Sequence, residues 1–178
     1  LALGSRVLDV CCGSGASALP AAEMVGPTGT VLGIDLAANL LELARMKAAK
    51  RGLMNTQFRV GDLLDMRLSD PQFDAVICVF GIFFIPDMPA AIRTLWHAVR
   101  PEGKLAVTTW GPRFLEPATT AFWNAVREVR PDLYKGFNPW DRISDPQSVR
   151  ALLRDAGIER ADVVAEANTH PIPCAAAW

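Results

Sequence analysis

A glycine-rich turn and an acidic residue about twenty positions after it are the first features of this sequence that could bind a ligand. Gly13 and Gly15 follow an apolar run that ends at Cys11, and Asp35 ends the next apolar run. Glycines at such a turn let a ligand approach the backbone, and the unpaired N–H groups of the following helix point toward it. The Asp35 carboxylate can accept hydrogen bonds from both hydroxyls of a ribose. The pattern therefore predicts a nucleoside site.

Two later strand ends add groups that suit an adenine ring. Asp62 follows the third predicted strand and can accept a hydrogen bond from an exocyclic amine. Val79, Phe80 and Gly81 end the fourth strand and offer backbone atoms and an apolar face. Because the carboxyl ends of parallel strands meet at one edge of a sheet, we expect these groups to form one adenosine site.

An acidic residue inside the first strand helps to distinguish two kinds of nucleotide ligand. Taken alone, residues 13–18 also fit the glycine fingerprint of dinucleotide sites. Asp9, however, lies in an otherwise apolar strand, where a carboxylate is costly unless it has a partner. The ammonium of a methionine moiety would be such a partner, whereas a pyrophosphate would be repelled. The alternative is that Asp9 only accepts hydrogen bonds from backbone N–H groups of the glycine turn.

The segment from Val7 to Gly15 resembles motif I of the class I S-adenosylmethionine-dependent methyltransferases. Four further segments are similar to that family in the expected order, namely 33–36, 61–63, 73–76 and 95–107. The likeness covers roughly residues 5 to 110, and agreement over several motifs is more specific than any single motif. In detail it most resembles the small-molecule branch that includes the ubiquinone and menaquinone methyltransferases.

The resemblance implies S-adenosylmethionine as the cofactor, no metal, and a set of cofactor-binding residues. That set places Asp9, Gly13, Ser14 and Gly15 around the methionine part, Asp35 and Leu36 around the ribose, and Asp62, Leu63, Val79 and Phe80 around the adenine. Cys11 also belongs to the site and stands where the family usually has the first glycine of its turn. A thiol is small, so we expect binding to persist, provided that Cys11 avoids a positive φ angle.

The predicted elements form an α/β fold, a doubly wound and mostly parallel sheet with helices on both faces. Strands are predicted at 6–11, 30–35, 57–60, 73–80 and 104–110, with a sixth around 162–166, and helices lie between them. We expect residues 1–178 to be a single S-adenosylmethionine-binding domain of the Rossmann-like type. The sequence also leads us to expect a chain truncated at both ends, without the family's N-terminal cap helices and C-terminal strand.

Aromatic residues after the fourth and fifth strands predict a pocket for a small, aromatic or lipophilic methyl acceptor. They are Phe83, Phe84, Trp110, Phe114, Trp123, Tyr134, Phe137 and Trp140. Methyl transfer from a sulfonium needs mainly alignment and exclusion of water, so no catalytic residue is assigned, and His97 and His170 are not assigned as bases.

The net charge and the cysteines indicate which classes of partner and which cellular compartment to expect. A net charge of -1 argues against nucleic acid, and the apolar runs are too short to span a membrane. The cysteines lack metal-ligand spacing, which favours a reduced cytoplasmic compartment, and burial at the end of the first strand predicts inert Cys11 and Cys12 thiols. Two alternative functions stay open: a nicotinamide-dependent oxidoreductase and a non-catalytic S-adenosylmethionine-binding scaffold.

Overall fold

The computed structural model describes residues 1–65, 72–167 and 169 and contains one five-stranded sheet. The strands are β1 (Arg6–Val10), β2 (Thr30–Asp35), β3 (Thr56–Val60), β4 (Phe73–Val79) and β5 (Val99–Thr108), in the spatial order β3-β2-β1-β4-β5. Every neighbouring pair is parallel. The strand order reverses beside β1, so the loops after β1 and β4 flank the position where open α/β sheets bind ligands.

Helices cover both faces of the sheet, because the apolar strand residues alternate between the two faces. The helices are α1 (Ala18–Val25), α2 (Ala38–Lys50), α3 (Met88–Ala98), α4 (Ala118–Val129) and α5 (Pro146–Asp155). Val7 and Val31 pack with α1 and α2, whereas Leu8 and Val76 pack with α3 and α5. The predicted doubly wound fold class is confirmed. In the described parts of the chain, no helix is long and apolar enough to cross a membrane.

The C-terminal third departs from the prediction. Residues 159–167 form no strand, so the sixth strand expected around 162–166 is wrong for the described chain. Most of these residues are exposed, so little buried apolar surface holds them against the sheet. Helix α4 is amphipathic in sequence but buries none of its residues.

The fifth strand begins earlier than predicted, at Val99 instead of Lys104. Its register against β4 shifts between the Phe73–Val99 and Ala75–Lys104 pairs. The Pro101–Gly103 segment that the sequence marks as a turn therefore lies inside an irregular strand, and Glu102 there has a positive φ of 67°.

Candidate functional site

The turn after β1 is built around a residue in the left-handed backbone region. Cys11 has a φ of 58°, so the expectation that it avoids a positive φ is wrong. The next residues close the turn, since Cys12 N–H donates to the Ile34 carbonyl at 3.1 Å and Gly15 N–H donates to the Cys12 carbonyl at 2.9 Å. A non-glycine residue in this region costs about 1–3 kcal/mol, which the surrounding hydrogen bonds must offset.

Asp35 connects the turn to the end of β2. Its Oδ2 accepts from Gly13 N–H at 2.8 Å and its Oδ1 accepts from Ala37 N–H at 2.8 Å. Each carboxylate oxygen has two acceptor positions, so both oxygens can still accept a hydroxyl group of a ribose. Asp35 therefore has a structural task besides the predicted one, because it also fixes the path of the glycine turn.

Asp9 is a fully buried carboxyl group in which one oxygen has a hydrogen-bond partner and the other has none among the described residues. It is 0% exposed, and its Oδ2 accepts from the Ser17 hydroxyl at 2.6 Å. Its Oδ1 is the buried oxygen without a partner there. Burial, opposed by the Ser17 hydrogen bond and reinforced by the Asp35 charge, raises the pKa of Asp9 to about 7.

The alternative in which Asp9 accepts from backbone N–H groups of the glycine turn is not what the structure shows. The Gly13 N–H group donates to Asp35, and the Ser17 hydroxyl takes the place of a backbone donor at Asp9. The unpartnered Oδ1 suits an additional donor, above all a cationic one, which would also offset the cost of ionising a buried carboxyl group.

Three carboxyl groups surround the turn. Asp9, Asp35 and Asp62 all act on the Cys11 thiol through their charge, and each of them raises its pKa. None of the ion pairs found among the described residues includes any of the three. The site is therefore electrostatically negative, which favours a cationic ligand and disfavours a pyrophosphate.

The other predicted cofactor residues differ in where their side chains lie and in how exposed they are. Ser14 lies in the turn, where its Oγ accepts from Lys47 Nζ at 2.8 Å. Leu36 is 68% exposed beside the end of β2, and Asp62 Oδ1 accepts from Leu64 N–H after β3. Leu63 differs from these, because its side chain is 4% exposed and packs in the core.

Gly15 and Gly81 are two positions where backbones approach closely. A Cβ on Gly15, whose φ is 84°, would lie 3.1 Å from Leu19 and 3.3 Å from Ala44, so the glycine lets α1 and α2 meet over the turn. A Cβ on Gly81 would lie 2.4 Å from the Cys11 Cβ, far closer than atoms pack. Gly81 therefore brings the segment after β4 directly against the turn after β1.

Two residues of the site were not predicted from the sequence. Ser17 partners the buried Asp9, and Lys47 of α2 donates to the Ser14 carbonyl and hydroxyl. Gly81 was predicted to offer its backbone to an adenine, but its close approach to Cys11 was not predicted. A hydroxyl residue just before α1 was a usable signal for Ser17, whereas the contact from Lys47 depends on how two helices pack and has no local signature.

Aromatic rings form a continuous row at the carboxyl ends of β4 and β5. Phe80 and Trp110 stack with centroids 3.7 Å apart and planes 9° apart, and Phe114 lies 4.0 Å from Trp110. The row continues from Phe114 through Trp140 to Phe83, over centroid distances of 5.6 and 5.7 Å. The ring of Phe80 thus stacks on Trp110, and this contact explains the position of the Phe80 side chain without an adenine.

The remaining predicted aromatics divide between this row and a second cluster. The ring centroids of Phe84 and Phe83 lie 4.8 Å apart. The centroids of Trp123 and Tyr134 lie 6.1 Å apart beside α4. Phe137 is 53% exposed. Only part of the predicted aromatic set therefore lies together at the strand ends.

Neither histidine is placed as a base. His97 is exposed near the end of α3, whose last residue leads directly into the start of β5, at the sheet edge opposite the glycine turn. His170 lies outside the described residues.

Comparison with known proteins supplies a family for this geometry. A family model described as a methyltransferase domain matches residues 7–103. Nocamycin O-methyltransferase of Saccharothrix syringae is 40% identical over 105 residues, which are 59% of this chain and 38% of that protein. A demethylmenaquinone methyltransferase of Listeria monocytogenes is 35% identical over 103 residues, 58% of this chain and 44% of that protein. The chain thus spans about two fifths of the length of these curated relatives.

The fold has the same kind of neighbour among solved structures. A SAM-dependent methyltransferase from Aquifex aeolicus superposes with a TM-score of 0.69 and 24% identity, covering 88% of this chain and 73% of that one. At this identity the likeness demonstrates a common fold.

Proposed function

Because this chain belongs to the methyltransferase domain family, we propose that it transfers a methyl group from S-adenosylmethionine to a small acceptor with an aromatic or lipophilic body. The observation that carries the proposal is the buried Asp9, which has an unpartnered oxygen beside the glycine turn. The ammonium group of the methionine moiety, directly or through a water, would give this oxygen a partner. Residues 1–178 would then act as one cofactor-binding domain.

The charge of the site supports this cofactor over a nicotinamide dinucleotide. Asp9, Asp35 and Asp62 lie around one turn, and none of them forms an ion pair among the described residues, while the Lys47 ammonium at this turn donates to Ser14. S-adenosylmethionine carries two cationic groups and one carboxylate, so these carboxyl groups attract it, whereas they repel the two phosphates of a dinucleotide. The net charge of -1 gives no general attraction for nucleic acid, which supports a small-molecule acceptor.

The residues of the chain contribute binding and alignment. Asp9 and the turn from Cys11 to Gly15 hold the methionine part, Asp35 holds the ribose, and Asp62 with the backbone after β4 holds the adenine. When bound, S-adenosylmethionine supplies an electrophilic methyl group on a sulfonium. The protein's part is to align the acceptor behind that methyl group and to exclude water, since the leaving group is neutral.

The aromatic row supports an acceptor with a ring or a lipophilic body. Phe80, Trp110 and Phe114 stack in sequence at the strand ends, next to the segment that approaches the glycine turn. Aromatic walls with few polar groups are typical of pockets for small apolar ligands. Relatives named for demethylmenaquinone and nocamycin are consistent with a small-molecule acceptor for this chain as well.

The cofactor part of the proposal is tested by titrating S-adenosylhomocysteine into the protein and into Asp35→Ala. Loss of the ribose acceptor should weaken binding about 10- to 100-fold, since a hydrogen bond to a charged group contributes about 1.5–3 kcal/mol. Asp74→Ala is the matched control, because Asp74 also accepts a backbone N–H but does so at the start of β4, at the opposite edge of the sheet. Tight binding of NADH would contradict the proposal, and so would equal affinity of Asp35→Ala and Asp74→Ala for S-adenosylhomocysteine.

The acceptor part is tested by replacing Trp110 with Ala. With an acceptor found by screening ring-containing compounds for isotopically labelled methyl transfer, the KM for that acceptor should rise about tenfold. The dissociation constant of S-adenosylhomocysteine should change less than about twofold, because the proposal assigns Trp110 to the acceptor and not to the cofactor. Trp96→Ala is the control, since Trp96 is 45% exposed on α3. An unchanged KM for the acceptor in Trp110→Ala would contradict the proposal that the aromatic row contacts the acceptor.

A further inference from the structure

Two thiols from different strands converge beside the cofactor turn. The Cys11 Sγ lies 3.0 Å and the Cys78 Sγ 3.3 Å from the position that a Cβ on Gly81 would occupy. Both sulfur atoms therefore border the same small space between the two strand ends. Glycine at position 81 leaves that space open.

The backbone geometry suits a disulfide between them. The β1–β4 register pairs Asp9 with Ile77, so its continuation places Cys78 beside Val10 and one position before Cys11 on the neighbouring strand. Residues offset by one position on adjacent strands have Cα atoms about 6 Å apart, which lies within the range of disulfides. In regular strands their side chains would point to opposite faces, but Cys11 leaves the strand conformation with a φ of 58° and packs against the same core cluster as Cys78. A bond between these sulfurs therefore needs a local side-chain rotation and little movement of the strands.

The two neighbouring cysteines of the turn differ in burial and acidity. Cys11 is half-buried, and the neighbouring Cys78 thiol lowers its pKa in spite of burial and the nearby carboxylates. Cys12 is buried on the opposite side, and burial raises its pKa to about 12. Thiolate character governs oxidation, so Cys12 fits the expected inert thiol better than Cys11 does, and the inertness of both stays a prediction.

We propose that Cys11 and Cys78 form an oxidative-modification site that hydrogen peroxide converts to a disulfide. The Cys11 thiolate attacks a peroxide oxygen, the O–O bond breaks, and a sulfenic acid and hydroxide form; the hydroxide takes up a proton to give water. The Cys78 sulfur then attacks the Cys11 sulfur, the S–O bond breaks, and the Cys78 proton leaves with the hydroxyl group as a second water. Overall, two thiols and one peroxide give one disulfide and two waters.

The disulfide would disable the cofactor site, an effect that rests on the proposed function. Cys11 begins the turn that carries Gly13 and Gly15, and the new bond would pull its side chain toward Cys78 and away from its present position. The same coupling acts in reverse, because a ligand that holds the turn in its reduced form must slow oxidation. Bound S-adenosylhomocysteine should therefore protect Cys11.

The test compares reduced and peroxide-treated protein in a Cys174→Ser background. Peptide mapping without reductant should find Cys11 linked to Cys78, with a mass loss of two hydrogen atoms that dithiothreitol reverses. Oxidation should weaken S-adenosylhomocysteine binding at least tenfold, and prior addition of the ligand should slow the cross-link several-fold. Cys78→Ala and Cys78→Ser, two variants in case one folds poorly, should bind the ligand like the reduced parent and keep that affinity after brief peroxide treatment.

The outcomes separate this inference from the proposed function. The cross-link is measured without any ligand, so its absence, or a cross-link that involves Cys12 instead, overturns the modification site. An unchanged affinity in the cross-linked protein overturns its coupling to the cofactor site. If the reduced protein does not bind S-adenosylhomocysteine, the proposed function fails, while the cross-link itself is still decided by peptide mapping.

Discussion

Replacing Asp9 with Asn is expected to stabilise the folded protein and, at the same time, to remove most of its affinity for S-adenosylmethionine. Asp9 is fully buried, and among the residues that the structure describes its one hydrogen-bond partner is the Ser17 hydroxyl. An amide of the same shape carries no charge, and its oxygen or nitrogen can keep the bond to Ser17. Opposite effects on stability and binding are expected of a residue that is retained for function.

The stability gain should depend on pH. The pKa of Asp9 is raised from 3.8 to about 7, so between these values the folded protein binds a proton that the unfolded chain does not. The free energy of unfolding therefore falls as pH rises from about 4 to about 7, by up to about 4 kcal/mol for this group. Asp9→Asn should remove that fall, giving a gain of about 1–3 kcal/mol near pH 8 and little gain near pH 4.

Thermal unfolding at both pH values measures this gain, and titration with S-adenosylhomocysteine measures the loss. The dissociation constant should rise about 30-fold or more, because the variant lacks the charge that pairs with the ligand's ammonium. Ser17→Ala is the matched control, since it removes the other partner of Asp9 and should lower stability without abolishing binding. A less stable Asp9→Asn variant with normal affinity would contradict this account.

Cofactor binding should weaken as pH falls below about 7. In the folded protein without ligand, the Asp9 carboxyl group is mostly protonated below about pH 7. A ligand with an ammonium group must displace that proton to form the ion pair. The dissociation constant should therefore rise about tenfold per pH unit between about pH 7 and 5.5. Above about pH 8 the amino group of the ligand itself begins to lose its proton, which sets the upper end of the useful range.

Other groups near Asp9 need to be separated from this effect. Asp35 acts on Asp9 through its charge, and the thiols of Cys11, Cys12 and Cys78 feel the Asp9 charge. Titration near pH 6 in two buffers with different ionisation enthalpies counts the released protons directly. The parent should release about one proton and Asp9→Asn none, whereas equal release from both would assign the titration to another group.

The framework of the site was predictable from the sequence because it depends on local patterns. The strand runs 6–10, 30–35 and 73–79 are short and mostly apolar, and a glycine follows β1 and β4 closely while β2 ends at Asp35, which indicates where the loops of a parallel sheet lie. Methyltransferase family membership, expected from five ordered segments, is confirmed by the match to residues 7–103. The individual cofactor contacts stay predictions.

What the sequence did not predict depends on contacts between distant residues. The Asp9 Oδ2 accepts from the Ser17 hydroxyl just before α1, and the left-handed Cys11 is held by bonds between the turn and β2. The Leu63 side chain packs in the core because neighbouring elements close over it, and its predicted contact with the adenine stays a prediction. Residues 162–166 are mostly exposed and form no strand, since a short apolar pattern does not by itself determine pairing.

The central claim is that Asp9 binds the ammonium group of the cofactor, and a comparison of two ligands tests it most directly. S-adenosylhomocysteine carries the amino-acid moiety, whereas 5′-methylthioadenosine shares the adenosine and the sulfur but has no ammonium. Calorimetric titration of both into the parent and Asp9→Asn should show a loss of about 30-fold or more for S-adenosylhomocysteine and less than about twofold for 5′-methylthioadenosine. An equal loss for both ligands, or no loss for either, would contradict the assignment of Asp9.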